Sequence, residues 1–284
     1  MSSSSDSTSQ SFVIKPKSGW QFIDWKEVIE SRDLFYFLMK RDVVAIYKQT
    51  VLGFTWAIIR PVFSMIIFSI VFGGLAKIPS DGIPYPIFSY AALIPWTYFS
   101  AAMTASTQSL ITGKAIFTKV YFPRLIIPLT PVLSKLVDFA IAFIILVGLM
   151  VWYGISPTIN LIFLPILILL MMLTASGIGM WLSAMAIQYR DIPQGVGFLS
   201  QLLMYVAPVV WPLSLLKERF GESATLLYGM YPMVGVIEGF RSALLGHIPM
   251  PWELIGIGTI TALFMFISGA VYFKNKERIF VDVA

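Results

Sequence analysis

Apolar stretches separated by short polar ones run along almost the whole of this chain. Six of them, residues 54–76, 87–109, 125–152, 155–187, 192–216 and 252–273, are each long enough to cross a bilayer, whose hydrocarbon core of about 30 Å takes about 20 helical residues. A different pattern precedes them. Between residues 31 and 53, Leu34, Phe35, Leu38, Met39, Val43 and Ile46 recur at helical spacing while Lys40, Arg41, Asp42 and Lys48 occupy other faces, which predicts an amphipathic helix in the interface plane. After the fifth run, residues 217–251 contain LLYGMYPMVGVIEGFRSALLG, too apolar for an exposed loop yet broken by Gly229, Pro232, Gly235 and Gly239. This segment reads as short re-entrant helices, tolerable at membrane depth only where protein or a water-filled cavity covers the backbone. The pattern predicts an all-α integral membrane protein with six transmembrane helices over residues 54–273. An interface helix over 31–53 leads into it, and a polar tail over 1–30 comes first. That tail opens MSSSSDSTSQ, with no apolar core or cleavage pattern, so a disordered segment is expected there and not a signal peptide.

Composition agrees and narrows the chemistry. Hydrophobic residues make 57% of the chain and charged ones 12%, with a mean hydropathy of +0.81, against about 25% charged residues in a soluble domain. The length of 284 residues suits one six-span domain. Cysteine is absent, which excludes disulfides and thiolate metal sites, and the single histidine, His247, excludes chemistry that needs two. No metal site is expected. With six spans both termini share one side. That side's hydrophilic segments hold fourteen of the 20 Lys and Arg residues, among them Lys40, Arg41, Lys48, Lys114, Lys119, Arg124, Arg190 and Lys274; the opposite side holds four, Lys77, Lys217, Arg219 and Arg241. The positive-inside rule then puts both termini, including residues 274–284, in the cytosol and the 217–251 connection outside.

Arg60, Lys135 and Asp138 are the ionisable residues well inside the apolar runs, where an unpaired charge costs about 3 kcal/mol on insertion scales. They read either as a gate at the inner mouth or as a neutralised structural triad with snorkelling ends. No series of carboxylates crosses the runs, which speaks against a proton or sodium relay. Glu238 and Arg241, at i and i+3, can pair on one helical face; the bland alternative is a surface ion pair of little value. Aromatic residues make 15% of the chain, most of them explicable as an interfacial belt. Trp96, Phe99, Tyr205 and Trp211 are the ones expected also to face a path, because flat ring faces suit sugars.

Several segments together resemble the membrane permease of ABC-type polysaccharide exporters, the group that moves lipid-linked O-antigen, capsule and wall teichoic acid. They are LFYFLMKRDVVAIYKQTVLGFTWAIIRPVF near the start, KVYFPRLIIP in the middle, YRDIP, APVVWP, YPMVGVIEGFR and the terminal FKNKERIFVDVA, in the family's order. The resemblance implies a bacterial plasma (inner) membrane protein that pairs with a second copy, above two ATPase subunits that carry ATP and Mg²⁺. It implies that residues 117–123 form a cytosolic coupling helix, for which Phe117, Tyr121 and Phe122 offer anchors and Lys119 and Arg124 the rim. Residues 34–52 resemble the interface helix beside it, with Arg41 and Lys48 reaching the same ATPase, and residues 231–245, with Tyr231, Glu238 and Arg241, resemble outer gating helices. No G-x-x-x-x-G-K-[ST] loop is present: Gly113–Lys114 has Gln108 where the loop needs its first glycine. This chain is therefore expected to need no cofactor of its own, to bind no nucleic acid, and to be the path for a lipid-linked glycan while ATP hydrolysis belongs elsewhere. The rivals are a same-fold exporter of teichoic acid, a small lipid or a drug; a membrane-embedded glycosyl- or acyltransferase; and an ATP-independent carrier, for which intramembrane coupling residues and repeated halves are missing.

Overall fold

In the computed structural model of the chain, which describes residues 29–48, 53–117, 122–246, 248–277 and 280, all regular structure among the described residues is helical. The elements are α1 (Arg32–Lys48), α2 (Trp56–Phe68), α3 (Tyr85–Phe117), α4 (Ile126–Ser134), α5 (Leu136–Tyr153), α6 (Leu164–Ala186), α7 (Ile192–Val206), α8 (Leu213–Tyr228), α9 (Pro232–Leu245) and α10 (Trp252–Lys276). Helix α2 continues through Ser69–Leu75 with the wider hydrogen bonding of a π-helix. Four helical segments among the described residues are long and apolar enough to cross a membrane: Trp56–Leu75, Ile126–Tyr153, Ile159–Ala186 and Trp252–Lys276.

The other two expected spans differ for identifiable reasons. Helix α3 has 33 residues, about 50 Å at helical rise, so length is not what it lacks. Its C-terminal half is rich in small polar residues (Thr104, Ser106, Thr107, Ser109, Thr112), which lowers its hydropathy. The run 192–216 does not form one helix. Helix α7 stops after 15 residues at Ala207, whose ψ of 149° is extended, as the residue before a proline prefers. Pro208 cannot donate the next helical hydrogen bond, and α8 starts only after Pro212, itself extended at ψ 150°. At about 22 Å, α7 is shorter than the hydrocarbon core.

Helix α6 lies at the centre, against α3, α10 and α9. Small residues set how closely it approaches them. A Cβ added at Gly177 would lie 2.7 Å from the backbone of Met265 and Phe266 in α10, and Gly269 faces Gly177 from the other side. Small residues at such crossings let backbones touch, so dispersion and not side-chain interlocking holds the pair. Tyr90 and Tyr98 pin α3 to its neighbours by donating to the carbonyls of Ala142 (3.3 Å) and Val132 (2.7 Å). The segment expected to form the interface helix is helical over most of its length, as α1. It turns Leu38 inward, with Leu34 and Phe35 half-buried beside it, and packs on α4. The tail expected over 1–30 lies almost entirely outside the described residues.

Candidate functional site

The most constrained polar site in the fold surrounds α9. Every residue of this helix, Pro232–Leu245, is buried, so this part of the 217–251 connection is covered by protein along its length. Glu238 and Arg241 are 1% and 0% exposed and pair at 2.7 Å; the surface-pair alternative is excluded. The sequence explains why a guanidinium is wanted there. Between α7 and α8 the two prolines of APVVWP break the helix and leave carbonyls without intrahelical donors. Arg241 collects them: Nη2 donates to Val209 O at 2.9 Å and Nη1 to Trp211 O at 3.5 Å, while Nε donates to Phe88 O at 3.4 Å. Only arginine offers five donors in a planar fork. The guanidinium carbon also sits 3.6 Å from the centroid of Phe88, a cation–π contact made stronger by desolvation. Tyr85 donates to the intervening Val210 carbonyl at 2.6 Å. Three elements, α3, the 207–212 break and α9, are therefore tied at one buried charge. Tyr231, at the start of α9, is half-buried.

The four candidate path aromatics separate. Trp96 and Phe99 are 3% and 0% exposed, packed within the main core with their rings 5.6 Å apart. As placed, the protomer's own side chains enclose them, and neither ring has a free face. Tyr205 on α7 is 60% exposed. Trp211 is half-buried and stacks on Tyr228 at 5.7 Å. Helical periodicity could not place Trp96 and Phe99, since the half of α3 that carries them is apolar on nearly every face.

At the other end of the bundle, Lys135 and Asp138 pair at 3.0 Å. Arg60 does not complete a triad with them in the ion pairs of the described residues; it is exposed and lies over the ring of Trp56, 5.5 Å from its centroid. Of the coupling residues, Lys119 and Tyr121 lie outside the described residues, and Phe117 is described only as the last residue of α3. Phe122 is described, and it points inward. It joins a second apolar cluster with Leu38, Leu110, Phe273 and Phe280, in which Phe273 and Phe280 meet edge-on at 5.1 Å. Arg124 anchors the same turn by donating to Glu277 O at 2.7 Å. Arg41 pairs with its neighbour Asp42 at 2.6 Å, and Lys48 closes the last turn of α1. Between α1, α3 and α4 lies a cavity of about 340 Å³ reached by Arg41 and Lys135. Sequence reading missed it, because the residues that line it are scattered from Leu38 to Lys135. Among the described residues no group of His, Asp and Glu side chains is placed to hold a metal ion.

The comparison with known families is decisive for the class. The model of the ABC-2 type transporter family matches residues 33–245. The chain belongs to the ABC-2 type transporter family. Among curated relatives of this ABC-2 transporter chain, the O-antigen export system permease protein RfbA of Myxococcus xanthus is 24% identical over 255 residues, covering 89% of this chain and 96% of the relative. A protein of the same description from Klebsiella pneumoniae is 25% identical, covering 88% and 95%. The polysialic acid transport protein KpsM of Escherichia coli is 23% identical, covering 84% and 92%. The region matched by the family model takes in α1, the bundle up to α9 and the buried Glu238–Arg241 pair.

Proposed function

We propose that this ABC-2 transporter chain is the permease subunit of an ATP-driven exporter that moves lipid-linked polysaccharide across the bacterial plasma membrane. Two copies act with two ATPase chains, and both termini are cytosolic. The observation that carries the reading is similarity, along most of both chains, to relatives named for O-antigen export and polysialic acid transport, in a sequence without a phosphate-binding loop. A polymer needs more room than one bundle offers, so the path runs between protomers. Tyr205, exposed on the short helix α7, and Trp211 beside the helix break are the preferred sugar contacts; Trp96 and Phe99 support them from within.

ATP binding on another chain has to be felt through a cytosolic contact, which this reading assigns to residues 117–123. With Phe122 turned into the cluster of Leu38, Phe273 and Phe280, Phe117 and Tyr121 are assigned as the anchors, and Lys119, Arg41 and Lys48 as the rim. Truncating a buried interface aromatic costs about 2 kcal/mol or more. The Phe117→Ala/Tyr121→Ala variant should therefore release the ATPase on purification, or keep it and lose export, while the permease alone elutes as wild type. Wild-type retention together with wild-type export would remove the docking assignment. Orientation has its own test in this cysteine-free chain. Ser4→Cys should be protected from an impermeant thiol reagent applied outside intact cells, and Ser80→Cys and Ser223→Cys should react. The opposite pattern would overturn the orientation drawn from the basic residues.

A further inference from the structure

The cavity between α1, the cytosolic half of α3 and α4 has no part in the path, and it shares only Arg41 with the ATPase contact proposed above. Its volume is about 340 Å³, and its wall combines two cationic side chains, the carboxylate of Asp42, a row of hydroxyls and an apolar strip. Arg41 reaches it from α1, and Lys135 from the junction of α4 and α5. Each is held by a local carboxylate, Asp42 and Asp138 respectively, and each keeps donors over. Nε and Nη2 of Arg41 both point to Asp42 Oδ1, which leaves the Nη1 donors; Lys135 gives one of its three N–H bonds to Asp138 at 3.0 Å. The hydroxyls behave differently. Ser109 donates to Ser106 O, Thr130 to Ile126 O and Ser134 to Thr130 O, so each has only oxygen lone pairs left to offer a ligand. Leu38, Phe122 and Ile127 form the apolar strip.

Donors from two cations beside hydroxyl acceptors and an apolar strip match a phosphodiester that carries a hydroxyl- or amine-bearing headgroup on one side and glycerol with acyl chains on the other. The amphipathic pattern of α1 puts the cavity at headgroup depth, on the basic face of the protein, where anionic lipid is attracted. We infer that this cavity is a binding site for the phosphate headgroup of a cytosolic-leaflet phospholipid, seated between the in-plane helix and the bundle. A free anion would leave the apolar strip unused. A carboxylate side chain of the ATPase would satisfy the cations but not the hydroxyl lone pairs.

The test uses the full chain purified without its ATPase, so it stands apart from the export reading. Lipid retained by the protein is measured by native mass spectrometry during titration with phosphatidylglycerol, with diacylglycerol as the phosphate-free control. Wild type should hold one phosphatidylglycerol that survives conditions stripping diacylglycerol. Each basic residue near a lipid surface contributes roughly fivefold to affinity, so Arg41→Gln/Lys135→Gln should weaken retention about thirtyfold. Arg41→Lys/Lys135→Arg should keep most of it, and Thr112→Trp, which fills the space without changing charge, should abolish it. Equal retention by wild type and the Gln pair, or by phosphatidylglycerol and diacylglycerol, would overturn the inference. So would displacement of the lipid by millimolar inorganic phosphate, which would mean a free-anion site. Displacement by the ATPase chain, with loss of ATPase binding in Thr112→Trp, would assign the cavity to docking instead.

Discussion

Replacing Arg241 with Leu should be among the most damaging single changes in this chain. The substitution leaves Glu238 as a buried carboxylate without its cation and takes the donor from the carbonyls of Val209 and Trp211, which the proline break already denies helical partners. Breaking a buried pair by removing one member costs about 3–5 kcal/mol, a large part of the 5–15 kcal/mol that keeps a typical domain folded. The detergent-purified variant should aggregate or melt far below wild type. The double change Arg241→Leu/Glu238→Leu should recover part of the loss, because no unpaired charge remains. Arg241→Lys should fall between, since an ammonium has three donors and no planar face to lay on Phe88. A wild-type melting temperature for Arg241→Leu would show that the carbonyls of 207–212 are satisfied in some other way.

Gly177→Leu should be of similar severity for a different reason. Even a Cβ at this position would stand 2.7 Å from the α10 backbone, and backbone cannot rotate aside as a side chain can. Helices α6 and α10 would have to separate, and overpacking of this kind costs typically about 1–3 kcal/mol and occasionally more. The expected result is loss of the monodisperse peak in size-exclusion chromatography. Gly148→Leu is the control, because a Cβ at Gly148 in α5 meets nothing within 4 Å. If the two variants behave alike, close approach at Gly177 is not what holds the centre of the bundle.

Much of the architecture was legible in the pattern of apolar positions, and the departures have local causes. Length and hydropathy located the apolar helices, and the spacing of Leu34, Phe35 and Leu38 located α1 and the face it buries. The fifth run was misread as continuous because a hydropathy average passes over Pro208 and Pro212, whose effect is on the backbone and not on polarity. The same prolines hold the signal for the buried site: carbonyls freed in an apolar run need donors, and Arg241 is the cation that supplies them. Spacing suggested the Glu238–Arg241 pair but could not tell burial from exposure, which depends on α3 and the 207–212 break packing around α9. Trp96 and Phe99 were expected on a path because of their chemistry, and the surrounding core encloses them. Phe122 shows the converse: in an aromatic, basic segment it looked like an outward anchor, and Phe273, Phe280 and Leu38 draw it inward.

The central claim is that this ABC-2 transporter chain is a path driven by a separate ATPase. It is tested most directly by reconstituting the chain in proteoliposomes, with and without a candidate partner ATPase, and following a lipid-linked glycan by its accessibility to an impermeant glycan-cleaving enzyme inside the vesicle. The account predicts ATP-dependent arrival of glycan on the side opposite the ATPase, no ATP hydrolysis by the chain alone, and loss of transport in Tyr205→Ala/Trp211→Ala with the complex intact. Glycan movement by the chain alone, or an assembled complex that hydrolyses ATP and moves no glycan, would contradict it.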